Sequence, residues 1–237
     1  DELLLLPQRP KELGPTGRNI FSMQRQDILN HIQADGKDTL RHQTIRLDDI
    51  EFQCEGAASA VMLAPDGLIF HVRDCFITKP KNRGISSPGF GCQGMMIDRC
   101  NFVSNEQAER VQDRFTIAIN ANANDVKLRN CRATRFRHFA VLAGANNVVI
   151  GNHFFQGDGL VNGVRSAGLI LTKTHTSTNF TGNYVDNCFI EWTNEHATDI
   201  SSVKSFGNLT IDGNIFFAAD VENDFKFIVV KPYASNM

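Results

Sequence analysis

The chain has one Trp and two Tyr, so its aromatic content rests almost wholly on 18 Phe. Phe has no polar handle, and this imbalance points to rings stacked in an interior rather than held at a wet boundary. There is no basic excess: 24 Lys and Arg stand against 26 Asp and Glu, a formal net charge of -2. Nothing is therefore set up to neutralise a phosphate backbone, and nucleic acid is not expected as a partner. No run of 18 apolar residues occurs, so no membrane span is expected. Leu3–Leu6 is too short for the apolar core of a leader, and Pro7 ends it. The start at Asp1 without Met suggests a removed leader or a piece of something longer. There is no CxxC, so zinc and dithiol chemistry have no motif, and the six Cys are read as buried free thiols acting as small hydrophobes. Gly89–Gly94 (GFGCQG) matches a nucleotide-binding spacing but leads into an alternating, strand-like run instead of a helix, which excludes that reading.

What is present is a repeat. The pattern apolar-x-apolar-x-x-apolar-x-apolar fits Ile45, Leu47, Ile50, Phe52; Phe70, Val72, Cys75, Ile77; Met95, Ile97, Cys100, Phe102; and Val126, Leu128, Cys131, Ala133. It also fits Val148, Ile150, His153, Phe155. Looser copies run from Phe180 to Tyr184 and through Leu209, Ile211, Ile215, Phe217, the last with one extra residue. Each half alternates as a strand does, and the three-residue gap between halves demands a bend if both are to face inward. Asp49, Asp74, Asn130, Asn152, Asn183 and Asn214 stand at the expected bend, with Arg99 departing; Asn and Asp suit tight corners. The chain holds 21 Asn.

A third strand follows in most coils: Ala60–Leu63, Phe115–Asn120, Phe139–Ala143, Leu169–Thr172, Phe189–Thr193 and Phe227–Lys231. Counted along the Cys column, the coils run 25, 25, 31, 22, 31 and 31 residues. A hairpin sandwich would need turns every ~8–12 residues and no constant register, and a leucine-rich repeat would show its Leu and Asn frame. The expected fold is all-β, a right-handed single-stranded parallel β-helix of about seven coils, with strands ~4.8 Å apart burying one continuous core. Two segments are expected. Residues 1–43 carry a short capping helix over Ile28, Leu29 and Ile32, begun at Asn19 or Ser22 and stopped at Gly36; residues 44–237 are the β-helix.

The blocks Arg132–Gly144 (RATRFRHFAVLAG), Gly151–Asp158 (GNHFFQGD), Gly182–Glu195 (GNYVDNCFIEWTNE) and Ile228–Pro232 (IVVKP) resemble the pectate-lyase-superfamily right-handed β-helix proteins of marine α-proteobacteria, a group related to glycoside hydrolase family 28. The resemblance spans roughly residues 45–233, and members are much longer. It implies a parallel β-helix and a role with carbohydrate. The Asn-Thr-Asp, paired-Asp, Gly-His-Gly and Arg-Ile-Lys motifs of family-28 polygalacturonases are absent. So are the calcium-binding Asp cluster and the Arg-containing motif of true pectate lyases. No cofactor or metal is expected; calcium stays open as a ligand, with no motif indicating it.

Sugar hydrolysis needs two carboxylates, and lyase chemistry needs a base and a group that neutralises the uronate. Alternation turns Leu169, Leu171, Ile190 and Trp192 inward and Glu191 outward. Asp158 and Arg165 lie on the loop of the coil before, Asn194 and Glu195 follow the strand, and Lys231 ends the equivalent strand one coil on. Glu191 and Asp158 are the candidate catalytic carboxylates; Arg165, Lys231, Asn194 and Glu195 are candidate substrate ligands. The bland alternative is that all are surface charges and corner ligands. His153 falls in the inward column and is read as a satisfied core histidine, His138 is open, and Trp192 is read as packing.

Two functions stand at this point. One is a lyase or glycoside hydrolase on an acidic glycan. The other is a non-catalytic glycan-binding or structural β-helix such as a phage tail-spike or surface adhesin domain, either a monomer or a homotrimer. Both place the protein outside the cell, at a cell surface or on a virion, with a polysaccharide as partner.

Overall fold

The computed structural model describes residues 19–22, 44–54, 59–62, 69–80, 82–87, 94–104, 117–121, 123–156, 167–171, 177–193, 208–219 and 225–231. A lone strand, β1 (Asn19–Ser22), precedes seven coils of three strands each. The first is β2 (Thr44–Asp48), β3 (Ile50–Gln53) and β4 (Ser59–Met62). The second is β5 (Ile69–Arg73), β6 (Phe76–Thr78) and β7 (Arg83–Ser87). The third is β8 (Met96–Asp98), β9 (Asn101–Val103) and β10 (Ile117–Ala121), and the fourth β11 (Lys127–Arg129), β12 (Arg132–Thr134) and β13 (His138–Leu142). Then come β14 (Asn147–Ile150), β15 (His153–Phe155) and β16 (Ala167–Leu171). They are followed by β17 (Thr178–Thr181), β18 (Tyr184–Asp186) and β19 (Phe189–Thr193), and by β20 (Leu209–Asp212), β21 (Ile215–Phe217) and β22 (Ile228–Lys231).

Strands at the same position in successive coils pair parallel and in order. The leading sheet is β2-β5-β8-β11-β14-β17-β20, the trailing sheet β1-β3-β6-β9-β12-β15-β18-β21, and the third sheet runs from β4 to β22. This is the parallel β-helix, with crossovers of the right-handed sense that parallel connections take. No helix occurs among the described residues. Asn19–Ser22, expected to open the capping helix, instead pair with β3 as an extra rung of the trailing sheet. Ile28, Leu29, Ile32 and Gly36 lie outside the described residues.

The bend between the leading and trailing sheets is one residue in the left-handed region. Asp49, Asp74, Arg99 and Asn130 sit at φ 52° to 56°, and Gly151, Gly182 and Gly213 at 60° to 68°. Each bend amide from Asp49 to Gly182 donates to a carbonyl of the next coil at 3.0–3.1 Å, so the ladder runs unbroken round the corner. Asn and Asp tolerate this conformation, and Gly adopts it without a Cβ penalty.

The next position is the inward corner column, and here the sequence reading needs correction. From the fifth coil on, Asn152, Asn183 and Asn214 follow Cys75, Cys100 and Cys131, and Gly151, Gly182 and Gly213 take the bend. The fifth coil thus points Asn147, Val149, Asn152 and Phe154 inward. It turns Val148, Ile150, His153 and Phe155 outward, one residue out of step with the expectation. In the seventh coil Ile215 and Phe217 face out, 64% and 49% exposed, while Phe216 packs on the core, and there is no extra residue. The fourth repeat interval is 21 residues, not 22. The cause is that NVVI and HFF are apolar on both faces, so alternation alone cannot fix their register.

Cys and Asn do one job in this column. Cys100 and Cys131 aim their thiols at the carbonyls of Val72 and Ile97 in the preceding coil, at 3.5 and 3.6 Å. Asn152, Asn183 and Asn214 donate Nδ2 to Leu128, Val149 and Phe180 at 2.8–3.1 Å. Each Asn Oδ1 also accepts the backbone N–H of the preceding coil's column residue at 2.8–2.9 Å. Cys54, Cys75, Cys100, Cys131 and Cys188 are free and buried, as expected. Burial pushes the Cys54 thiol up to about 12.

The core is a stack of branched aliphatics and Phe. Phe139 stacks on Phe154 at 4.0 Å, and Phe102 meets Phe136 and Phe139 edge-on at 6.5 and 6.4 Å. Within the seven coils, the strand the sequence did not reveal is β7, RGISS. It passes because Ile85, Ser86 and Ser87 are all fully buried, and a Cβ on Gly84 would meet the Ala118 carbonyl oxygen at 2.5 Å and Phe102 at 3.0 Å.

Candidate functional site

The third sheet carries the residues of interest. Its strands β10 and β13 turn two consecutive residues inward, so His138 and Val141 both emerge on the outer face. Register then aligns Asn120, Val141, Ile170, Glu191 and Val229 in one outward column. Leu169, Leu171, Ile190 and Trp192 are buried beneath it, and Trp192 is packing, as alternation implied.

Glu191 and Lys231, chosen from the sequence, meet on this face. Lys231 Nζ donates to Glu191 Oε2 at 2.9 Å, across one coil boundary and one diagonal step. The lysine side chain is 41% exposed and the carboxylate 17%. A pair this open is worth about 0–1 kcal/mol to the fold, so its stability value does not explain it. Glu191 is the sole acid among the described residues of the third sheet. A carboxylate held by an ammonium suits charge recognition, and hydrolysis would need a second carboxylate beside it. Asp158, Arg165, Asn194 and Glu195 lie outside the described residues.

His138 belongs to the same face. Its Nδ1 lies 2.6 Å from the carbonyl of Ala167 one coil on, and because a carbonyl only accepts, that nitrogen carries the proton. Burial drives the ring pKa below its usual value, with the Arg137 charge acting the same way; the Ala167 hydrogen bond and the Glu191 carboxylate oppose it. The neutral ring therefore keeps Nε2 as a lone-pair acceptor. Arg83 shares a column with Ile117 and His138, and donates Nη1 to Ser86 Oγ at 3.4 Å. The face sets Arg83, His138, Glu191 and Lys231, on three neighbouring columns, among Val141 and Ile170.

The leading sheet carries a different pattern that the sequence reading did not single out. Arg73 clamps Asp48 at 2.7 and 3.0 Å, Arg99 clamps Asp74 at 2.8 and 2.7 Å, and Arg99 and Arg129 both reach Asp98. The Arg73 guanidinium holds the Asp48 carboxyl below the usual carboxylate range. The spacing of 25 residues between Asp48 and Arg73, and again between Asp74 and Arg99, was the available signal. This staircase ties one coil to the next. His153, expected in the core, is 33% exposed and faces out beside Asp186. Among the described residues no group of three or more metal-ligating side chains occurs, and no helix is long and apolar enough to cross a membrane.

No protein-family description matches the chain. No curated protein matches it either. Among solved structures it is similar to a tailspike protein mutant of E. coli bacteriophage HK620 in complex with pentasaccharide, at TM-score 0.52 and 16% identity. The match covers 80% of this chain and 36% of that one, so the chain spans about a third of the tailspike's length. At this identity the likeness is one of fold: both are parallel β-helices.

Proposed function

We propose that this chain is a glycan-binding β-helix of the tail-spike or adhesin kind, which takes an acidic polysaccharide along the outer face of its third sheet. The observation that carries the reading is the Lys231–Glu191 pair at 2.9 Å, with Glu191 on an outward column that also holds Asn120, Val141, Ile170 and Val229. Lys231 would neutralise a uronate carboxylate, Glu191 would accept sugar hydroxyls, and the aliphatic residues would lie under the flat CH face of a ring. The fold shared with a tailspike solved with a pentasaccharide supports this, as do the blocks resembling pectate-lyase-superfamily proteins, and with it a place outside the cell or on a virion. Asp158 stays a candidate catalytic carboxylate, and Arg165, Asn194 and Glu195 candidate ligands, all outside the described residues.

Cleavage by β-elimination is the second reading, favoured by one observation: His138 is a neutral imidazole with Nε2 free to accept a proton. In that reaction His138 takes the proton next to the uronate carboxylate, Lys231 balances the developing charge, and the leaving oxygen departs to give an unsaturated sugar. The test is titration of polygalacturonate and alginate oligomers into the protein, with parallel recording of unsaturated-product absorbance and reducing ends. Binding that falls roughly tenfold in Lys231→Met supports the site. Unsaturated product that disappears in His138→Gln supports the lyase. Absence of polyuronate binding sinks both.

A further inference from the structure

Two outward columns run side by side on the leading sheet, and over the first four coils they treat charge differently. One reads Asp48, Arg73, Asp98, Arg129, alternating in sign, and its acids are taken up within the sheet. Both oxygens of Asp48 are held by Arg73 at 2.7 and 3.0 Å. Asp98 Oδ2 receives Arg99 and Arg129 at 3.0 and 3.1 Å, and its Oδ1 receives Asn130 Nδ2 at 3.3 Å. The other column, two residues earlier in each strand, reads Arg46, His71, Met96, Lys127. It holds no acid. It continues as Val148, Asn179 and Thr210, so its basic groups are confined to the first four coils.

Arg46 and Lys127 are exposed, and His71 and Met96 half-buried. Neither Arg46 nor Lys127 has an ion pair among the described residues, and Asp125, at the bend two residues before Lys127, makes none with it. Like charges set opposite one another on neighbouring strands lower stability, and the adjacent column shows this fold alternating them instead. His71 registers the crowding. Burial lowers its pKa first, the charges of Arg46, Arg73 and Lys127 lower it further, and Asp48 opposes them. An uncompensated basic column beside a compensated one is a place for the negative charge of a ligand.

Spacing selects the ligand. Successive coils stand ~4.8 Å apart, so the column offers a basic group at the first, second and fourth steps of a ~14 Å line. An extended pyranose chain advances by about one coil spacing per residue. Acidic groups on its first, second and fourth residues then face Arg46, His71 and Lys127, and the third ring lies over the Met96 thioether. An extended acidic peptide repeats its side chains on one side every ~6.7 Å and falls out of step. Nucleic-acid binders typically gather ~6–10 phosphate contacts, more than this column supplies.

We propose that the Arg46–His71–Met96–Lys127 column of the leading sheet binds a linear acidic glycan laid along the solenoid axis. The site lies on a different sheet from the Lys231–Glu191 pair and does not rest on that reading.

The test uses the full chain carrying Lys231→Met, which silences the third-sheet pair. The probes are hexagalacturonate, a heparin hexasaccharide, cellohexaose and a single-stranded DNA oligomer of matched charge, all at low salt. Calorimetry in two buffers of different ionisation enthalpy gives affinity and proton uptake. At least one acidic hexasaccharide is expected to bind more tightly than cellohexaose, and the two acidic probes separate carboxylate from sulfate recognition. Arg46→Gln and Lys127→Gln should each weaken that binding roughly tenfold and flatten its salt dependence, with the unfolding midpoint unmoved or raised. Binding should take up protons between about pH 6 and pH 7, because a bound anion raises the His71 pKa, and His71→Gln should remove the uptake. The proposal is overturned if neither acidic hexasaccharide binds, or if cellohexaose binds as well as they do. Binding indifferent to both Gln variants overturns it, as does binding lost together with a lowered midpoint in both, which makes the cations structural. DNA bound more tightly than either glycan assigns the column to nucleic acid and equally overturns it. If unsubstituted protein binds the acidic glycans and Lys231→Met protein does not, the sugar belongs to the third sheet, and this proposal falls while that reading stands.

Discussion

Removing one rung of the Asn column tests the logic of the whole solenoid. Asn183 is 1% exposed. Its Nδ2 donates to the Val149 carbonyl at 2.9 Å, and its Oδ1 accepts the Asn152 backbone N–H and Asn152 Nδ2, both at 2.9 Å. Asn183→Ala removes the side-chain partner from two buried backbone groups, the Val149 oxygen and the Asn152 amide. At about 1–3 kcal/mol for the stranded Asn152 amide, and about 1 kcal/mol for the bond lost at the Val149 oxygen, which keeps its place in the ladder, the loss is about 2–4 kcal/mol. Asn183→Cys should recover part of it, because a thiol in this column points at the equivalent carbonyl in Cys100 and Cys131, though at 3.5 and 3.6 Å. Sulfur is a poorer acceptor for the Asn152 amide, so roughly half the loss should remain. Urea unfolding gives the stability, provided the m-value is constant. Hydrogen exchange at Asn152 gives the local effect, which matters because coils in a solenoid can open separately. The reasoning fails if Asn183→Ala costs less than about 1 kcal/mol with Asn152 protection unchanged. It also fails if Cys and Ala at this position are indistinguishable.

Two further perturbations separate strain from contact and charge from burial. A Cβ on Gly182, at φ 64°, meets nothing within 4 Å, so Gly182→Ala should lose only the left-handed penalty of about 1–2 kcal/mol, and Gly182→Asn less, since Asn130 holds the same bend. Gly144→Ala, whose Cβ falls on the Ala123 backbone, should prevent coil stacking, and equal urea midpoints for the two Ala variants would contradict this. His71 and His138 both have pKa values lowered chiefly by burial, so between the ordinary value of 6.5 and the folded values the unfolded chain binds more protons. Their contribution to stability is therefore complete above about 6.5 and is lost as pH falls through the folded values. The urea midpoint should drop on acidification from about pH 7 to about pH 5, and a His71→Gln, His138→Gln protein that drops just as far would refute it.

The parallel β-helix was legible because its physics is local and repeated. One three-residue gap between two alternating halves, recurring with Asp49, Asp74 and Asn130 at the corner, forces a bend, and only stacking can bury the inner columns that result. The same argument turned Glu191 outward and Trp192 inward, since alternation within FIEWT is unambiguous. It failed where both faces of a strand are apolar. Val148 and Val149, or Phe154 and Phe155, satisfy either register, and the choice falls to Gly151, which takes the left-handed bend and sends Asn152 into the column that Cys131 holds one coil earlier. The polar core column of Asn152, Asn183 and Asn214 therefore looked like corner chemistry, and β7 looked like no strand at all. Pairings that join coils lay beyond the sequence for a further reason. Lys231 reaches Glu191 over 40 positions and His138 reaches the Ala167 carbonyl over 29, distances along the chain that only the stacking of coils closes. The sequence by itself determined that the chain winds and which faces of its well-patterned strands look inward. The tertiary structure alone decided the register of the ambiguous coils, and with it which side chains of neighbouring coils meet on the outside, because that register is chosen by hydrogen bonds between coils and not by any preference within one.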